Sequence, residues 1–541
     1  MCGLSAYISP NNFQDELKQS TDLMAHRGPD GEGFYFNNDS SLKVVFGHRR
    51  LSIIDLSEKG SQPMLKDDVA ITFVGEIYNF KELRQYCIDK GCKFFSNTDT
   101  EVILSLYSIL GKNSFSLLKG MYSFILHDSA HQKVYAIRDR MGIKPLYFFE
   151  HNNTILFSSE IKGFTPFKLF KKEICRESLF EFLTNGFVYE PRTGFKNVFK
   201  VGHGEIFEID ISQEKLTYNK TYLDDPRTLI NLNDNLIKSI KTQTNADVKT
   251  GIFFSGGTDS SVIASSAKLP LVFANYEYLE NNLDKNYAIK ISEALNQKIK
   301  VIDFKSDIYK SDSLINYVNF VAEHTEEMIC DYTFHSTYEL STNVRKEGYK
   351  VMLSGAGGDE TFAGYPRYLA VKYKNLLAIL IKPIKILSKF EFINKKYGKK
   401  IHRLISSLGE ENILLAYSRL VGVFSRHQLK SFFYDFEEKE KSLLLRYENI
   451  IGDEFESPNL KKTIKLDKYG FLQHNLMVAD KASMLAGVEI RVPLLDEDLY
   501  KTTYHMSSYE IMGFFNLKKI LKNFLKSFLP RNLIYRKKNR F

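Results

Sequence analysis

Phe253-Phe254-Ser255-Gly256-Gly257-Thr258-Asp259-Ser260-Ser261 passes from an apolar, strand-like run through two glycines into a segment compatible with a helix that begins at Ser261. Strand–loop–helix units of this shape bind phosphate, because glycine lets the backbone approach an anion and the helix N-terminus faces it. The serines add hydroxyl donors. A carboxylate repels phosphate, so Asp259 fits better as a ligand of an accompanying Mg²⁺ ion.

The sequence around this loop alternates between helix and strand patterns. Short apolar runs typical of buried strands are separated by longer segments with helical spacing. We predict helices at 232–242, 261–268, 284–295, 313–322 and 335–345, and strands at 250–254, 271–276, 298–304 and 350–353. This alternation predicts an α/β doubly wound parallel sheet, with further helices after it and ligands at the carboxyl ends of its strands.

A second glycine turn follows the last of these strands, in the word Ser354-Gly355-Ala356-Gly357-Gly358-Asp359. Because parallel strands end at the same edge of a sheet, we expect Asp359 to lie near Asp259. Two carboxylates at one edge could share a Mg²⁺ ion bound to pyrophosphate.

The first half of the chain has a different pattern. Short β-type runs, separated by turn residues, outnumber two helical segments. We predict strands at 44–46, 70–74, 122–126, 133–137 and 146–149, and helices at 81–89 and 101–110. This pattern predicts an α+β domain with many antiparallel strands, and the polar segment 218–234 is a plausible linker to the second domain.

Cys2 is a candidate nucleophile at the start of this first domain. Removal of Met1, which precedes a small residue, leaves a thiol and a free α-amine on one residue. That amine has an ordinary pKa of about 7.7–8.0 and can act as the base for its own side chain. A Met-Cys start alone is weak evidence for a nucleophile, so this interpretation depends on the motifs that follow in the sequence.

Five polar motifs follow Cys2, and their sequences and order resemble those of the class II glutamine amidotransferase domain, an N-terminal nucleophile hydrolase. They are His26-Arg27-Gly28-Pro29-Asp30-Gly31, His48-Arg49-Arg50-Leu51-Ser52-Ile53, Gly75-Glu76-Ile77-Tyr78-Asn79, Thr98-Asp99-Thr100-Glu101 and Arg138-Asp139-Arg140-Met141-Gly142-Ile143-Lys144-Pro145. The resemblance implies that Cys2 attacks the side-chain amide of glutamine and releases ammonia.

The same resemblance implies roles for the residues around Cys2. Arg50 would hold the α-carboxylate of glutamine, a planar acceptor that suits a guanidinium group. Glu76 and Asp99 would hold the α-ammonium, Ile53 would line the pocket, and the N–H of Gly75 would belong to the oxyanion hole.

The second half resembles the ATP pyrophosphatases in its Ser255–Ser261 loop, and the synthetase domain of glutamine-hydrolysing asparagine synthetases over residues 230–541. Three further motifs complete this resemblance: Asp480-Lys481-Ala482-Ser483-Met484, Glu489-Ile490-Arg491-Val492-Pro493-Leu494-Leu495-Asp496 and Lys518-Lys519-Ile520-Leu521-Lys522. It implies two domains, at 1–215 and 230–541, and an enzyme that adenylates aspartate with ATP and aminates it with ammonia from glutamine.

The resemblance also assigns the ATP site. Lys518 would neutralise charge on the α-phosphate during attack by the acceptor carboxylate. Asp259 and Asp359 would hold Mg²⁺. The adenosine would lie on the backbone of one group of residues and the pyrophosphate on a second group. The first group is Phe253, Asn275, Ser354 and Gly355, and the second is Ser255, Gly256, Gly257, Asp259, Ser260 and Ser261.

Two positions depart from the family pattern. Relatives usually carry Asn where Val74 stands, and the Asn amide is one of the two oxyanion donors. Loss of one such donor typically costs about 10²–10³ in turnover, so we expect slow glutamine hydrolysis unless another group replaces it. Relatives often carry Glu where Ala356 stands, and alanine can neither take a proton nor bind Mg²⁺.

These departures leave two alternatives open. One is an amidotransferase whose acceptor is a sugar acid or a carboxylate of a cell-envelope precursor, which Ala356 makes credible. The other is a non-catalytic relative that binds glutamine and nucleotide without turnover. The intact set Cys2, Arg50, Asp99, Asp259 and Asp359 argues against the second alternative.

Composition narrows the class of protein further. A chain of 541 residues with 43% hydrophobic and 26% charged residues fits two or three soluble globular domains. The net charge of +9 is spread along the chain, and we expect no nucleic-acid partner. Five cysteines argue against a disulfide framework. With no signal peptide and no apolar run long enough for a bilayer, we expect a cytoplasmic enzyme of small-molecule substrates, with a homodimer allowed.

Overall fold

The structure is a computed structural model that describes residues 2–38, 40–224, 231–276, 283–304, 311–330, 333–379, 391–452, 456 and 458–536. Met1 and residues 225–230 of the predicted linker lie outside the described residues. The elements of the first half are the strands β1 (Gly3–Ser9), β2 (Gly31–Asn37), β3 (Lys43–Arg50), β4 (Met64–Lys66), β5 (Val69–Ile77), β6 (Gly120–Asp128), β7 (Lys133–Arg138), β8 (Tyr147–His151), β9 (Thr154–Ser158), β10 (Val198–Lys200), β11 (Glu205–Asp210) and β12 (Thr217–Tyr222), and the helices α1 (Gln14–Asp22), α2 (Phe80–Asp89), α3 (Asp99–Leu110) and α4 (Arg176–Asn185).

Two antiparallel sheets of six strands each form the first half, in the orders β10-β8-β9-β1-β3-β2 and β12-β11-β7-β6-β5-β4. Alternate residues of both sheets, such as Leu4, Phe46, Val74 and Phe207, meet in one apolar cluster between the sheets. Leu17 of α1 covers the outer face of the first sheet, and α3 covers the outer face of the second. The result is a four-layer helix–sheet–sheet–helix sandwich, in which β1 places Cys2 at the end of a central strand.

A parallel five-stranded sheet in the order β15-β14-β13-β16-β17 organises the second half. Its strands are β13 (Thr250–Phe253), β14 (Leu271–Tyr276), β15 (Ile299–Phe304), β16 (Val351–Leu353) and β17 (Glu489–Arg491). The chain moves outward from β13 to β15 and then returns to the other side of β13. The switch point between β13 and β16 is where ligands of open α/β sheets bind.

Helices surround this sheet and extend beyond it. Those that accompany the strands are α5 (Leu232–Thr242), α6 (Thr258–Ala267), α7 (Leu283–Ala294), α8 (Ser311–Thr325) and α9 (Thr333–Lys346). The later ones are α10 (Gly358–Thr361), α11 (Pro366–Lys372), α12 (Lys374–Ile379), α13 (Glu391–Leu408), α14 (Ile413–Val421), α15 (Arg426–Phe432), α16 (Phe436–Ile451), α17 (Asn459–Tyr469), α18 (Phe471–Leu485), α19 (Glu497–His505), α20 (Ser508–Met512), α21 (Lys519–Leu525) and α22 (Arg531–Ile534). Short 3₁₀ turns lie at Glu58–Gly60, Gly111–Leu117, Ile161–Phe164 and Pro493–Leu495.

The predicted fold class is confirmed for both halves, and three details differ. The segment predicted as a linker contains β12 and the start of α5, because β12 completes the second sheet beside β11 despite its polar sequence. Helix α6 begins at Thr258 rather than Ser261, since Gly257 caps it. The sequence also gave no sign of β17, whose three residues pair with β16.

The two halves share a buried interface. Arg27 of the first half, fully buried, lies 2.9 Å from Asp480 of α18. Met121, Met141 and Ile143 of the first half pack in one apolar cluster with residues of the second half, including Leu495. In the described part of the chain, no helix has both the length and the apolar character needed to cross a bilayer.

Candidate active site

Cys2 lies beside a small cavity of about 40 Å³ in the first half. Its Sγ is 3.9 Å from the carbonyl oxygen of Leu51, and its own carbonyl oxygen accepts a hydrogen bond from Arg27 Nε at 3.1 Å. Burial raises the pKa of the Cys2 thiol above its ordinary value, so this thiol needs a base. The cavity brings together every predicted glutamine residue, namely Arg50, Ile53, Gly75, Glu76 and Asp99.

Arg50 is held at the mouth of this cavity by the loop that follows β3. Its guanidinium donates to the carbonyl oxygens of Asp55 and Ser57, the latter at 2.9 Å. Ile53 also lies in the wall, but its carbonyl oxygen accepts a hydrogen bond from Asp247 N at 2.9 Å. The second half of the chain therefore fixes the loop on which the cavity is built.

Gly75 and Val74 mark the bend of β5 beside Cys2. Gly75 has φ of +140°, and a Cβ atom on it would lie 2.0 Å from the carbonyl oxygen of Met121, so only glycine fits here. Val74 is fully buried in the apolar cluster between the sheets, which Cys2 borders. The structure thus places an apolar side chain at the position where the sequence resemblance implies a hydrogen-bond donor.

Three buried carboxyl groups face the cavity. Burial raises the pKa of Asp99 to about 6, although Oδ2 of Asp99 accepts the N–H of Ile77 at 2.9 Å. Burial also raises the pKa of Glu76 above its usual range; Arg491 opposes that shift, and Glu489 and Asp99 add to it. Burial disfavours the charge of Glu489 as well, but Arg491 lowers the pKa of this carboxyl overall. A bound ammonium group would favour the ionised forms of these acids, so the cavity is suited to a cationic group.

Sequence reasoning missed the contribution of Glu489 and Arg491 to this cavity. Glu489 lines the wall together with Cys2, and Arg491 Nη2 lies 3.1 Å from Glu76 Oε1. Both residues belong to the motif at 489–496 that was identified in the sequence. Only the packing of β17 against the first half shows that it belongs to the glutamine pocket.

A larger cavity, of about 570 Å³, opens at the carboxyl ends of the parallel strands. Seven predicted residues line it: Ser255, Gly256, Gly257, Asp259, Ser261, Asp359 and Lys518. The first turn of α6 begins at Thr258, so its free N–H groups face this cavity. Arg536 also lines this cavity and donates to the Gly256 carbonyl oxygen at 2.9 Å.

The other predicted ATP residues do not line this cavity. Ser260 lies inside α6, where its hydroxyl is 3.3 Å from that of Ser255. Phe253 and Asn275 lie at the ends of β13 and β14, and Asn275 Nδ2 donates to Asp303 at 2.6 Å. Ser354 and Gly355 follow β16, and a Cβ atom on Gly355 would lie 2.8 Å from the Cβ of Asp259.

Lys518 joins the two candidate metal ligands. Its Nζ donates to Asp259 Oδ2 at 2.5 Å and lies 2.7 Å from Asp359 Oδ1. Burial alone would lower the pKa of Lys518, but the two carboxylates raise it above its ordinary value. Gly364 makes this approach possible, because a Cβ atom on it would lie 2.2 Å from Lys518 Cε. The predicted convergence of Asp259 and Asp359 is present.

These two carboxylates fit the Mg²⁺ that accompanies a nucleotide. Mg²⁺ in such sites is held by one or two carboxylates together with substrate phosphates. Within the described residues, no group of three or more His, Cys, Asp or Glu side chains is arranged to hold a metal ion. The donor set therefore suits an ion delivered with phosphate rather than one held by protein ligands alone.

Glu360 is a further buried acid near this cavity. It is adjacent to Asp359, is 2% exposed, and accepts a hydrogen bond from Tyr365 Oη at 3.0 Å. Burial, with Asp359 and Asp467 nearby, raises its pKa to about 8. Glu360 is therefore a carboxyl group that can hold a proton at neutral pH.

The apolar interdomain cluster lies between the two cavities. At one end Met121 pairs with Glu76 across β5 and β6, and at the other end Phe253, Ala356 and Leu517 pack against the cluster. The two cavities share no lining residue. A small neutral molecule passing between them would cross a region that consists mostly of apolar side chains, with tyrosines among them.

Comparison with known families gives two matches that together cover nearly the whole chain. Residues 1–223 match a glutamine amidotransferase domain, and residues 231–541 match asparagine synthase. The second match covers more than half of the chain.

Individual relatives show the same division. A Methanocaldococcus jannaschii protein, provisionally named asparagine synthetase (glutamine-hydrolyzing) 2, is 32% identical over 68% of this chain and 76% of its own. Asparagine synthetase (glutamine-hydrolyzing) 1 of Bacillus subtilis is 28% identical over 99% and 86%. Amidase chry2 of Gibberella zeae is 31% identical over 68% of this chain and 60% of its own.

Proposed function

Because the chain belongs to the asparagine synthase family and is an ATP-dependent ligase that takes its nitrogen from glutamine, we propose that it converts aspartate, ATP, glutamine and water into asparagine, AMP, pyrophosphate and glutamate. The observation that carries this proposal is the presence of two separate pockets, one beside Cys2 and one at the parallel-sheet switch point. All five residues expected to bind glutamine line the first pocket, and seven of the residues expected for adenylation line the second.

In the first pocket Cys2 would be the nucleophile. After removal of Met1 its α-amine takes the thiol proton, and the thiolate attacks the side-chain carbonyl carbon of glutamine. The Gly75 N–H would stabilise the oxyanion, and the proton returns to the leaving ammonia. Arg50 would bind the α-carboxylate, while Glu76 and Asp99 would bind the α-ammonium.

In the second pocket the chain would bind ATP with its phosphates against the first turn of α6. The carboxylate of the acceptor attacks the α-phosphorus, and pyrophosphate leaves. Lys518 would move from its two aspartates to the α-phosphate and neutralise the charge that develops there. Asp259 and Asp359 would hold Mg²⁺, which supplies positive charge for the departing pyrophosphate.

Ammonia would reach the second pocket through the apolar interdomain cluster. The acyl-adenylate is a mixed anhydride that water would hydrolyse, so exclusion of water protects it. The cluster around Met121, Ile143 and Leu495 supports this role, since neutral ammonia enters an apolar region at a lower cost than ammonium.

Ala356 supports a second candidate, in which the acceptor is a sugar acid or another cell-envelope carboxylate. The alanine packs on the edge of the interdomain cluster, and its N–H donates to Ser354 Oγ at 3.3 Å. Alanine in place of the carboxylate that the resemblance leads us to expect removes a negative charge from the turn that follows β16.

ATP–pyrophosphate exchange with a panel of carboxylates tests the proposal. With labelled pyrophosphate, aspartate should support exchange that glutamate and succinate do not. A sugar acid that supports exchange where aspartate does not would replace the first candidate by the second. Absence of AMP formation with ammonia and every carboxylate, while glutamine and ATP still bind, would favour a non-catalytic protein.

A further inference from the structure

Arg491 belongs to the half of the chain that builds the ATP cavity, yet its side chain lies at the glutamine pocket. It is the last residue of β17 and is 1% exposed. Its guanidinium contacts two acids of the pocket: Nε donates to Glu489 Oε1 at 2.7 Å, and Nη2 lies 3.1 Å from Glu76 Oε1. The third nitrogen, Nη1, donates to two backbone carbonyl oxygens at 3.0 and 2.6 Å.

Hydrogen bonds fix Nε and Nη1 of the guanidinium, and Nη2 lies within ion-pair distance of Glu76. The backbone acceptors, Gln243 and Asn245, lie just after α5, so they anchor the side chain to the second half. Glu76 is then held from across the domain boundary by a rigid, planar cation. A carboxylate fixed in this way keeps one oxygen for the cation and can present the other to the α-ammonium of glutamine.

The backbone of Arg491 is connected to the ATP side. Its carbonyl oxygen accepts the N–H of Ser354 at 2.8 Å, directly after β16. The next residue, Gly355, packs against Asp259 of the phosphate loop. One residue therefore contacts both the loop expected to bind nucleotide and the carboxylate expected to bind glutamine.

We propose that Arg491 is a positioning residue of the glutamine site: it orients Glu76 toward the α-ammonium of glutamine and makes glutamine affinity respond to the loop that follows β16. This inference rests on the proposed use of glutamine. A purely structural role would predict lower stability after substitution, with unchanged affinity in the folded protein.

The test uses the full chain with Cys2→Ser, which prevents turnover, and measures glutamine binding by calorimetry. Arg491→Lys keeps the charge but cannot contact Glu76, Glu489 and both carbonyls together, so the glutamine Kd should rise about tenfold or more. The matched control is Arg138→Lys, because Arg138 is also buried, contacts Glu190 within the first half and donates to Gln473 across the same interface. Its glutamine Kd should stay within twofold.

Two further measurements separate positioning from folding. In a Glu76→Gln background, Arg491→Lys should change the glutamine Kd less than twofold, because the affected carboxylate is absent. ATP with Mg²⁺ should tighten glutamine binding about fivefold or more in the parent and leave the Arg491→Lys protein unchanged. Equal Kd values in parent and Arg491→Lys, or an equal ATP response, would overturn the inference. Failure of the Cys2→Ser parent to bind glutamine would instead overturn the proposed function.

Discussion

The glutamine pocket and the ATP cavity differ in how much each depends on the other half of the chain. Every residue that lines the ATP cavity lies between positions 255 and 536. The glutamine pocket is lined by first-half residues and by Glu489, and Arg491 holds one of its acids. The pocket beside Cys2 is therefore incomplete without the second half, whereas the cavity at the parallel sheet takes no lining residue from the first half.

This asymmetry has a chemical reason. Ammonia released without an acceptor is lost to solvent, so a glutamine site that is completed by the synthetase half is less active when that half is displaced. Adenylation itself would need no such safeguard from the first half, because ATP and the acceptor arrive from outside. Substitutions in one pocket should therefore affect a different set of reactions from substitutions in the other.

Cys2→Ser should have the largest effect and should separate the two sites completely. Glutamine-dependent product formation should fall by at least about 10⁴-fold, because the nucleophile is lost. Product formation with ammonium chloride should remain within twofold, since Cys2 does not line the ATP cavity. Parallel assays with the two nitrogen sources measure this, and an equal loss with both would contradict independent pockets.

Lys518→Met should give the complementary result. AMP formation should fall about 10³-fold with either nitrogen source, because the cation for the α-phosphate is missing. Glutamine hydrolysis without ATP should be nearly unchanged. Lys519→Met is the matched control: this neighbouring lysine contacts the Tyr509 carbonyl oxygen at 3.2 Å instead of the aspartates. Similar losses in both variants would show that general positive charge, rather than the position of Lys518, matters.

Val74→Asn tests whether the oxyanion hole is incomplete. A second donor beside Cys2 should raise glutamine turnover, by up to about 10²-fold. The buried amide should also lower stability by about 1–3 kcal/mol, since Val74 lies in an apolar cluster. Initial rates of glutamate formation and thermal unfolding measure both effects. Val74→Ala, which adds no donor, should not raise the rate. No gain in folded Val74→Asn would mean that another group already completes the hole.

The sequence was most informative where the functional residues lie in short motifs. The phosphate loop could be predicted from its own glycines between a strand and a helix, whereas Cys2 could be predicted as a nucleophile only together with the motifs that follow it. The bounds of strand β14 and of helix α5 were both predicted without error, since their apolar patterns are strong. The polar edge strand β12 was missed, because its pairing with β11 rather than its own pattern defines it.

The part that could not be predicted is the joint construction of the glutamine pocket. Glu489 and Arg491 lie more than 400 positions from Cys2 in the sequence, and no local pattern indicates which domain their side chains enter. The ion pairs of Lys518 with Asp259 and Asp359 could not be predicted for the same reason. Each depends on how distant elements pack, which local spacing does not encode.

The smallest effect expected is a pH dependence confined to the glutamine pocket. Burial raises the pKa of Asp99 to about 6, so this carboxyl is ionised above that pH and neutral below it. Only the ionised form attracts the α-ammonium of glutamine. Between pH 7 and pH 5 the ionised fraction falls from about nine-tenths to about one-tenth, so the glutamine Kd of the Cys2→Ser protein should rise about tenfold. Asp99→Asn should bind weakly at both pH values and lose the inflection near pH 6. ATP binding, in a cavity that Asp99 does not line, should show no inflection there, and a shared one would mean that the two pockets titrate as a single unit.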